Sequence, residues 1–422
     1  MQDKTFKIHT LGCKVNQYDS QVIREQLERA GLKEITDDKK ADFCIINTCT
    51  VTSSADRQSR YLVRLANRQN PNARIIVTGC YAHANADDLK DMKGVDLILN
   101  NFKKDKIASH ISTGVVDKTK VIGINNFKGH TRAFVKVQDG CNNFCSFCKV
   151  PYVRGRSKSR DLPSIIAEIR GLARNGYKEV VLTGICLGDY GKDLDKKIGL
   201  VDLINEIEKI RDIYRIRISS IEAKDVSDRL IKKMSSSDKL CPHLHIPFQS
   251  GDDHILKQMN RPDTRKNYLR LIEKLRKKVR DFAVSCDIMI GFPGEDEKKF
   301  NSTVSLLKKV IPSRAHIFTF NPRDLTKFSG YNSQIPMNVL DERFELLKTI
   351  SGNLACKFNE QFINKEKIVL FENIKSGLWR GHTDNYLEVI TRAKSDLSGE
   401  LIKVKITQLR DKLLFGELCL VQ

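Results

Sequence analysis

The stretch AFVKVQDGCNNFCSFCKVP, residues 133–151, leads from an apolar strand-like segment directly into three cysteines. Cys141, Cys145 and Cys148 are spaced as C-x3-C-x2-C, in the kind of loop that can wrap a bound group at the end of a strand. Zinc sites usually close with four ligands in paired arms, and no fourth Cys or His follows here for dozens of residues. Three thiolates can instead hold an iron–sulfur cube and leave one iron open to a substrate. The spacing therefore favours an iron–sulfur site over a zinc site or three core cysteines.

The strand that precedes these cysteines is the first of six consecutive βα-type units. Each strand-like segment is followed by a segment with the apolar period of a helix. This alternation predicts an incomplete barrel or a large open parallel sheet. The six strand-like segments are AFVKVQ, EVVLTGI, YRIRISSI, HLHIPF, FAVSCDIMIGF and AHIFTF.

The first hundred residues show the same rhythm and predict a separate α/β domain with a parallel, Rossmann-like sheet. Its strands are FKIHTLGC, ADFCIINTC and ARIIVTGC. Gly31 is predicted to end the first helix, and Ser53 or Ser54 to cap a second helix that runs to Asn70. A third helix is predicted over residues 86–92. The periodicity weakens at residues 107–131, which we interpret as a linker.

The C-terminal part of the chain changes pattern once more. A long helix is predicted over residues 340–362, and short strand-like pieces broken by Gly and Asn turns follow it. These pieces are KIVLFEN, LEVITR, LIKVKITQL and FGELCLV. They predict a small all-β barrel of some sixty residues, on the spacing expected for such folds.

Charge and composition narrow the functional class. The 422 residues include 73 Lys and Arg against 52 Asp and Glu, a net charge of +21. This excess favours a polyanionic partner, nucleic acid first, although a solvated basic surface is the plain alternative. No apolar run reaches the roughly 18 residues that a membrane span needs, and the opening residues do not resemble a secretory signal. Twelve cysteines without export features indicate reduced thiols used for metal or catalysis. We therefore expect a cytoplasmic protein without a membrane partner.

A second set of cysteines is scattered in sequence but alike in context. Cys13, Cys49 and Cys80 end HTLGC, INTC and VTGC, each directly after an apolar strand. Strand exits of a parallel sheet lie on one edge, where ligands bind. The three thiols could therefore hold a second cluster with its own open iron. Each could instead be a small buried residue.

The motif at residues 141–148, with Phe147 before the third cysteine, resembles the signature of the radical S-adenosylmethionine superfamily. The resemblance implies a [4Fe–4S] cluster whose fourth iron is chelated by S-adenosylmethionine. One-electron reduction then cleaves this cofactor to a 5′-deoxyadenosyl radical. It also implies a partial (βα)6 barrel, in agreement with the six units counted above.

The blocks TLGCKVNQYDS, NTCTVT and TGCYA resemble the three cysteine blocks of the methylthiotransferases. That resemblance implies three domains: residues 1–115 as a cluster-binding domain, 130–358 as the radical core and 362–422 as an RNA-binding barrel of the TRAM type. LGCKVNQ with NTCTVT is most similar to the branch that acts on threonylcarbamoyladenosine beside the anticodon of tRNA. The isopentenyladenosine branch more often reads GCQMN, and the ribosomal-protein branch GCPKN. Action on isopentenyladenosine or on a ribosomal-protein aspartate is therefore the alternative.

The resemblance implies two [4Fe–4S] clusters and two uses of S-adenosylmethionine. One use methylates a sulfur carried at Cys13, Cys49 and Cys80, and the other generates the radical at Cys141, Cys145 and Cys148. Replacing an aromatic C–H bond with C–S–CH3 needs a radical, because no side-chain base can remove that hydrogen. The methylthio group then joins carbon 2 of the adenine. An external one-electron reductant and a sulfur donor are implied partners, beside the tRNA.

Further residues fall where radical enzymes of this type contact the cofactor, at strand exits of the barrel. Glycine permits close backbone approach, and Glu can accept a hydrogen bond from an ammonium or a ribose hydroxyl. Each could instead be a turn glycine or a surface carboxylate. The predicted cofactor contacts are Phe147, Gly184, Ser220, Glu222, Gln249 and Gly291. His245 lies on a strand and is predicted to be a satisfied core histidine.

Basic residues beside the cysteine loop predict contacts with tRNA phosphates, and the C-terminal barrel predicts stacking. A solvated basic loop is the alternative. The predicted RNA-binding residues are Arg154, Arg156, Arg160, Trp379 and Arg380.

Two further features of the sequence are a cysteine near the barrel mouth and a loop that departs from the family pattern. Cys186 lies near the barrel mouth and could be reactive, whereas the five other remaining cysteines are predicted to be structural. The chain reads NPRDLTKF where the family tends to show a Gly after the Arg. Leu325 does not adopt left-handed backbone angles cheaply, so this loop is predicted to be shaped differently.

An enzyme is the leading interpretation. The competing class is an iron–sulfur protein that binds RNA without radical chemistry. Reductive release of 5′-deoxyadenosine would exclude that class.

Overall fold

The computed structural model describes residues 4–36, 39–111, 123–195, 198–331 and 335–419. Its N-terminal unit is a parallel sheet, as predicted, but with five strands in the order β2-β1-β3-β4-β5 where the sequence predicts three. The strands are β1 Thr5–Thr10, β2 Lys33–Glu34, β3 Phe43–Thr48, β4 Arg74–Gly79 and β5 Val95–Leu99. The helices are α1 Lys14–Arg29, α2 Ser53–Gln69, α3 Cys80–Ala84, α4 Ala86–Lys90 and α5 Ile107–Ile111, with a 3₁₀ turn at Asn101–Lys106.

Two apolar layers cover the two faces of this sheet. On one face, Ile23 and Leu27 of α1 pack with Ile107 of α5. On the other, Val63 and Ala66 of α2 pack over β3 and β4. Strands covered on both faces read as near-continuous apolar runs, which is why FCIINT and RIIVTG stand out in the sequence.

The helix ends seen in the structure can be compared with the ends and caps that the sequence predicts. Gly31 has φ +83° just beyond the end of α1, which confirms the predicted stop. The prediction of Ser53 or Ser54 as the cap of α2 is wrong. Thr52 is the cap, and its hydroxyl accepts a hydrogen bond from the Ala55 N–H at 3.1 Å. The segment predicted as one helix over 86–92 begins as α4, but α4 ends at Lys90. Part of the predicted linker at 107–131 is the helix α5, and residues 112–122 lie outside the described residues.

The central unit holds the six predicted parallel strands. They form two three-stranded sheets of order β10-β9-β6 and β11-β12-β13, joined by a parallel bridge between Ile216 and Leu240. The strands are β6 Arg132–Lys136, β9 Glu179–Thr183, β10 Arg215–Ile218, β11 His243–His245, β12 Ala283–Ile290 and β13 Arg314–Thr319, with the short antiparallel pair β7 Gln138–Asp139 and β8 Lys158–Ser159. This is the incomplete parallel barrel that the sequence predicts.

Helices cover the outside of the barrel. Their apolar faces join the strands in one large core that includes Ile165, Leu203 and Leu307. The helices are α6 Val150–Arg154, α7 Leu162–Arg174, α8 Leu200–Glu208, α9 Asp228–Ser236, α10 Asp253–Gln258, α11 Arg265–Lys278 and α12 Glu297–Val310, with 3₁₀ turns at Leu187–Asp189 and Ala223–Asp225. The long helix α13 Met337–Glu360 then leads to the C-terminal unit.

The C-terminal unit is a closed five-stranded barrel of order β14-β15-β16-β18-β17, which confirms the predicted all-β barrel. Its strands are β14 Glu366–Lys375, β15 Leu378–Thr383, β16 Glu388–Thr391, β17 Leu401–Arg410 and β18 Leu413–Leu418. The sequence pattern missed β15, because its inward-facing residues are Trp379, Gly381 and Thr383 and no apolar run forms. Period-two burial still identifies it as a half-buried strand.

A buried carboxylate fastens the C-terminal barrel to the central one. Arg217 donates from Nε to Glu179 Oε1 at 2.7 Å, and Arg215 and Arg132 lie at 3.6 and 3.9 Å from the same carboxylate. Arg217 and Arg215 also donate to carbonyls of Asp384 and Ile368 in the C-terminal barrel, at 2.8 and 2.6 Å. Burial raises the pKa of Glu179, but the guanidinium groups outweigh burial and bring it to about 2. The junction is therefore charged at neutral pH.

In the described part of the chain, no helix combines the length and the apolar character needed to cross a bilayer.

Candidate active site

Cys141, Cys145 and Cys148, called the loop triad below, lie in the segment between β7 and α6. Backbone hydrogen bonds fix the segment at both ends. The Cys141 N–H donates to the Gly155 carbonyl at 3.1 Å, and the Cys148 N–H donates to the Cys145 carbonyl at 3.0 Å. Contacts within the protein therefore define the shape of the loop.

Neighbouring loops also hold this segment. The Asn260 Nδ2 donates to the carbonyls of Asn143 and Phe144 at 3.2 and 3.0 Å. Phe144 has φ +46°, an unusual value that these contacts maintain. The Arg156 guanidinium lies over the Phe144 ring, 4.5 Å from its centroid.

The loop-triad thiols differ in acidity. Burial raises the pKa of Cys148 to about 12 and also raises that of Cys145, which Arg261 partly offsets. A hydrogen bond from Cys186 lowers the pKa of Cys141. Ligand thiols must be deprotonated, so metal binding here would be accompanied by proton release.

Cys13, Cys49 and Cys80, called the sheet triad below, follow β1, β3 and β4. The predicted juxtaposition is visible in the packing of Gly12. This residue has φ +94°, and a Cβ atom there would lie 2.7 Å from the Cys49 Sγ. The segment before α1 therefore lies directly against Cys49, and only glycine fits.

Two asparagine side chains hold the segments that carry the sheet triad. The Asn16 Nδ2 donates to the Leu11 and Thr48 carbonyls, both at 2.8 Å, which holds two of the strand exits together. The Asn101 Nδ2 lies 3.5 Å from the Cys80 Sγ and donates to the Val153 carbonyl at 2.8 Å. Burial raises the pKa of Cys49 to about 11.

The sulfur spacing tests what kind of metal group would fit. Three thiolates on one zinc ion stand about 3.8 Å apart, because the Zn–S bond is about 2.3 Å. Among the described residues, neither triad brings all its sulfurs within 4.8 Å of one another, although the sulfurs in each act on one another electrostatically. The three thiols of each triad therefore suit a metal group larger than a single ion. Thiolates are the ligands of iron–sulfur clusters. The residues therefore fit a cluster better than a zinc ion.

Arg154 lies beside the sheet triad and is not available to RNA. Its side chain is 2% exposed, and it donates to Asp139 Oδ1 at 2.9 Å and to Asn16 Oδ1 at 2.7 Å. Its charge acts on Cys80 and Cys13. The prediction of a phosphate contact is therefore wrong, because α6 turns this guanidinium towards the N-terminal unit.

One large cavity, the main cavity below, adjoins both triads. It encloses about 1270 Å³, more than the 300–1,000 Å³ of an ordinary ligand pocket. Cys13, Cys49, Cys80 and Cys148 lie in its wall, and Glu372, Asn373 and Tyr386 of the C-terminal barrel lie there too. All six parallel strands of the central unit contribute residues to the wall, and α1, the α6 segment and several loops contribute others. The main cavity has room for a cofactor and a substrate side by side.

Four of the six predicted cofactor contacts line the main cavity: Phe147, Gly184, Ser220 and Gln249. Gln249 has φ +65°, and its buried Oε1 has no hydrogen-bond partner among the residues that the structure describes. Gly184 is also required by packing, since a Cβ atom there would lie 2.8 Å from the Gln138 Oε1. An unpaired buried acceptor is costly unless a ligand satisfies it.

Glu222 and Gly291 are not among the wall residues of the main cavity. Glu222 forms an ion pair with the buried Arg261, with one contact at 3.2 Å, beside Cys145. The Gly291 N–H donates to Glu295 Oε1 at 3.0 Å, and a Cβ atom there would meet Leu340 at 2.5 Å. Both have partners within the protein, and contact with a cofactor stays a prediction.

Two more predicted RNA contacts are engaged within the protein: Trp379 is buried, so that prediction is wrong, whereas Arg160 is ion-paired but 22% exposed, and its RNA contact stays a prediction. Arg160 donates to Glu168 Oε2 at 2.6 Å and to the Tyr18 hydroxyl at 2.8 Å. Trp379 is 7% exposed and packs in the core of the C-terminal barrel. Arg156 is exposed beside the loop triad, and Arg380 is partly exposed and paired with Glu388 at 3.0 Å. Their RNA contacts stay predictions.

The loop after β13 differs from its prediction. Leu325 does adopt a left-handed conformation, with φ +65°, and its side chain is 52% exposed. Arg323 in the same loop donates to the Thr50 carbonyl at 3.1 Å and pairs with Asp56. This anchor on the N-terminal unit holds the loop and outweighs the local strain.

Cys186 is buried and lies near Cys141. The Asn143 Nδ2 is 3.7 Å from the Cys186 Sγ, and the Asn143 N–H is 3.4 Å from the Cys141 Sγ. Cys186 also groups with Asp189 and Asp225, but the Lys192 ammonium lies 2.7 and 3.6 Å from these two carboxylates. The Lys192 ammonium therefore already neutralises the two carboxylates that a metal ion would otherwise bind.

The sequence missed the polar interior of the barrel. His245, predicted as a satisfied core histidine, is hydrogen-bonded to Ser285 at 3.0 Å and pairs with Asp287 at 3.1 Å, yet it lines the main cavity. Arg314 and His316 line it from β13. The alternating polar residues of HLH and RAH could have predicted this polar interior, because alternate residues of a strand face the same side.

Comparison with known proteins agrees with this geometry. Residues 5–100 match the Uncharacterized protein family UPF0004, and residues 135–307 match the Radical SAM superfamily. The chain is 36% identical to the threonylcarbamoyladenosine tRNA methylthiotransferase MtaB of Bacillus subtilis, over 95% of this chain and 93% of that protein. It is 33% identical to the tRNA-2-methylthio-N(6)-dimethylallyladenosine synthase of Acetivibrio thermocellus, over 98% and 91%.

A solved structure shares the fold. The radical S-adenosylmethionine methyltransferase TsrM of Kitasatospora setae, with cobalamin and a [4Fe–4S] cluster bound, matches with a TM-score of 0.56. The match covers 78% of this chain and 77% of that one, at 13% sequence identity. The near-full-length relatives and the two matched regions are decisive: the chain belongs to the methylthiotransferase family of the Radical SAM superfamily.

Proposed function

We propose that this protein methylthiolates carbon 2 of N6-threonylcarbamoyladenosine beside the anticodon of tRNA. The observation that carries the proposal is the main cavity, because residues of both triads lie in its wall. Relatives from Bacillus subtilis and Thermotoga maritima that are named for this substrate are 36% and 37% identical over more than nine-tenths of the chain. They support the choice of nucleoside.

Membership of the Radical SAM superfamily implies a [4Fe–4S] cluster and S-adenosylmethionine. We assign that cluster to the loop triad and a second [4Fe–4S] cluster to the sheet triad. Each triad would leave one iron without a protein ligand. When bound, these groups supply the one-electron chemistry, the sulfur and the methyl group that replace the hydrogen on carbon 2.

The chain's own residues hold and shield the reactants. Phe147 packs edge-on against Phe292, with ring centroids 6.4 Å apart, and gives the cofactor an apolar wall. Gln249 offers its unpaired Oε1 to a hydrogen-bond donor such as the cofactor's ammonium. Arg154 beside the sheet triad and Arg261 beside the loop triad supply buried positive charge to two anionic clusters.

Three parts of the chain divide the work in this proposal. Residues 1–115 hold the second cluster, residues 130–358 hold the first cluster with S-adenosylmethionine, and residues 362–422 contact RNA. Arg156 and Tyr152 are exposed beside the loop triad, where a phosphate and a base could meet them. An external one-electron reductant and a sulfur donor complete the reaction.

Two single substitutions test the division of labour. Cys141→Ala should stop reductive cleavage of S-adenosylmethionine, because the loop triad then lacks a ligand. Cys49→Ala should spare that cleavage but stop methylthiolation. Both outcomes are measured on anaerobically reconstituted protein, by mass spectrometry of 5′-deoxyadenosine and of tRNA nucleosides. A Cys49→Ala variant that still methylthiolates tRNA would contradict the assignment, and absence of 5′-deoxyadenosine from the unchanged protein would favour a non-catalytic RNA-binding protein.

A second candidate substrate is N6-isopentenyladenosine in tRNA. It is supported by the relative from Acetivibrio thermocellus named for the dimethylallyl nucleoside, which is 33% identical over nearly the whole chain. Parallel assays on two tRNAs that differ only in the N6 group would separate the candidates. We expect methylthiolation of the threonylcarbamoyl tRNA, and faster reaction of the isopentenyl tRNA would reverse the choice.

A further inference from the structure

Cationic side chains outnumber carboxylates in the wall of the main cavity. Seven Lys and Arg residues line it, against two carboxylates, Asp287 and Glu372. Five of the seven cations have a carboxylate partner in the protein. These pairs are Arg132 with Glu372, Lys149 with Asp324, Arg154 with Asp139, Arg217 with Glu179 and Arg323 with Asp56. The other two, Lys14 and Arg314, pair with no carboxylate in the part of the chain that the structure describes.

These two cations face the same region from opposite units. Lys14 is the first residue of α1, and its Nζ lies 5.9 Å from the centre of the Phe134 ring on β6. Arg314 is the first residue of β13, on the same strand face as His316. Partial removal from water lowers the pKa of His316, and the charges of Arg314 and Lys14 lower it further. Both charges are therefore close to the His316 ring.

Neither carboxylate in the wall pairs with Lys14 or Arg314, although the Asp287 charge also acts on His316 and opposes theirs. Asp287 Oδ2 lies 3.1 Å from His245 Nε2, and Glu372 Oε2 accepts from Arg132 at 2.9 Å. Each carboxylate is thus engaged with a side chain other than Lys14 and Arg314. A bound anion would find two cationic donors without a competing partner, a strong arrangement for charge-assisted hydrogen bonds.

We propose that Lys14 and Arg314 bind the carboxylate of the substrate's threonyl group and so select this nucleoside. The inference rests on the proposed function and adds the residues that read the N6 substituent. The threonylcarbamoyl group ends in an α-carboxylate, which is ionised at neutral pH. An isopentenyl group carries no charge. A site with two unpaired cations therefore favours the first nucleoside and gains nothing from the second.

The test compares two anticodon stem-loop RNAs that carry threonylcarbamoyladenosine either with its free carboxylate or as the neutral carboxamide. Binding to the full-length, anaerobically reconstituted protein is measured by fluorescence anisotropy at one fixed salt concentration. We expect the unchanged protein to bind the carboxylate RNA about tenfold more tightly, the size of a charge-assisted contact at a partly exposed site. This arm needs no variant and cannot be confused with misfolding.

The double variant Lys14→Gln/Arg314→Gln should bind the two RNAs with equal affinity. Its control is Lys308→Gln/Lys309→Gln, which removes the same charge from the exposed face of α12, away from the main cavity. The control should keep the tenfold preference, since both RNAs carry the same phosphates. A double variant that also keeps the preference would overturn the proposal.

Methylthiolation of the carboxylate RNA, read by mass spectrometry, reports separately on the proposed function. Product formation with equal binding of the two RNAs would overturn the carboxylate site and uphold the reaction. A tenfold preference for the carboxylate RNA without any product, even with every co-reactant added, would uphold the carboxylate site and contradict the proposed reaction.

Discussion

The two triads reach similar chemistry by different structural routes. The loop triad lies within eight residues of one segment, and its geometry is set by contacts from neighbouring loops. The sheet triad is drawn from three strand exits, and only the folding of the N-terminal sheet brings its sulfurs together. A local motif can therefore be recognised from spacing alone, whereas a topological one requires the strand order.

The difference extends to how each triad is supported. Asn260 and the 3.0 Å Ser146–Met259 backbone contact hold the loop triad, so damage there should stay local. The sheet triad depends on close packing of Gly12 and on the buried network around Arg154. Damage there should affect both the cluster and the stability of the N-terminal unit.

The largest expected effect on iron binding is from Gly12→Ala. The new Cβ atom would meet the Cys49 Sγ at 2.7 Å on a backbone with φ +94°, so the sulfurs of the sheet triad cannot keep their positions. We expect iron affinity at this triad to fall by about 10–100-fold, with cleavage of S-adenosylmethionine retained. Iron content after reconstitution checks this.

The control for that variant is Gly31→Ala. Gly31 also has positive φ, +83°, but no described residue lies within 4 Å of its missing Cβ. It should lose only about 1 kcal/mol of stability and keep its iron. Equal iron loss in both variants would show that backbone strain, and not the contact with Cys49, controls the sheet triad.

The largest expected effect on stability is from Arg154→Met. Removing one partner of a buried ion pair costs about 3–5 kcal/mol, because Asp19 and Asp139 keep their charge. Denaturant unfolding under anaerobic conditions measures the loss. Arg229→Met is the control, since its pair with Asp202 is largely exposed and should contribute little to stability. An Arg154 variant of unchanged stability that loses tRNA affinity would restore the phosphate-binding interpretation.

A smaller effect is expected from Asn260→Gly, which keeps the positive φ of +58° possible and removes the amide. Loss of the two hydrogen bonds to the loop triad segment should cost about 1–2 kcal/mol. S-adenosylmethionine binding should weaken while iron at the sheet triad is unchanged. Asn364→Gly, at φ +65° outside the site, serves as the matched control. Loss of iron from the sheet triad in the Asn260 variant would mean that the two triads are not independent.

The smallest effect is expected from Leu325→Gly in the loop that links the central barrel to the sheet triad's unit. Glycine relieves the left-handed strain of about 1–2 kcal/mol, and the exposed side chain gives up little burial. Part of the gain is offset by backbone entropy. A rise in melting temperature of a few degrees would confirm it, and a fall would show that the side chain stabilises the loop.

Much of the fold was accessible from the sequence. The six βα units, the N-terminal parallel sheet and the small β barrel follow from apolar periodicity, and both cysteine sets stand at strand ends where ligand sites occur. The strand β15 was missed, because Trp379 and Gly381 alternate with polar residues and form no apolar run.

The basic residues were the harder part, because sequence does not tell a surface charge from a buried one. Arg154 and Arg160 lie in one basic stretch with Arg156, but the turn of α6 buries the first and Glu168 engages the second. Long-range partners such as Asp19 and Glu168 determine these outcomes, and no local pattern contains them. The same holds for Lys14 and Arg314, which are distant in sequence and share the main cavity.

Iron and sulfide analysis of three proteins tests the central claim most directly. The unchanged protein, reconstituted to saturation without oxygen, should hold about eight iron and eight sulfide ions per chain, as two [4Fe–4S] clusters require. Triple Cys→Ala variants of either triad should each hold about four. A saturated, unchanged protein with only about four iron ions, or a sheet-triad variant that keeps all eight, would contradict the account.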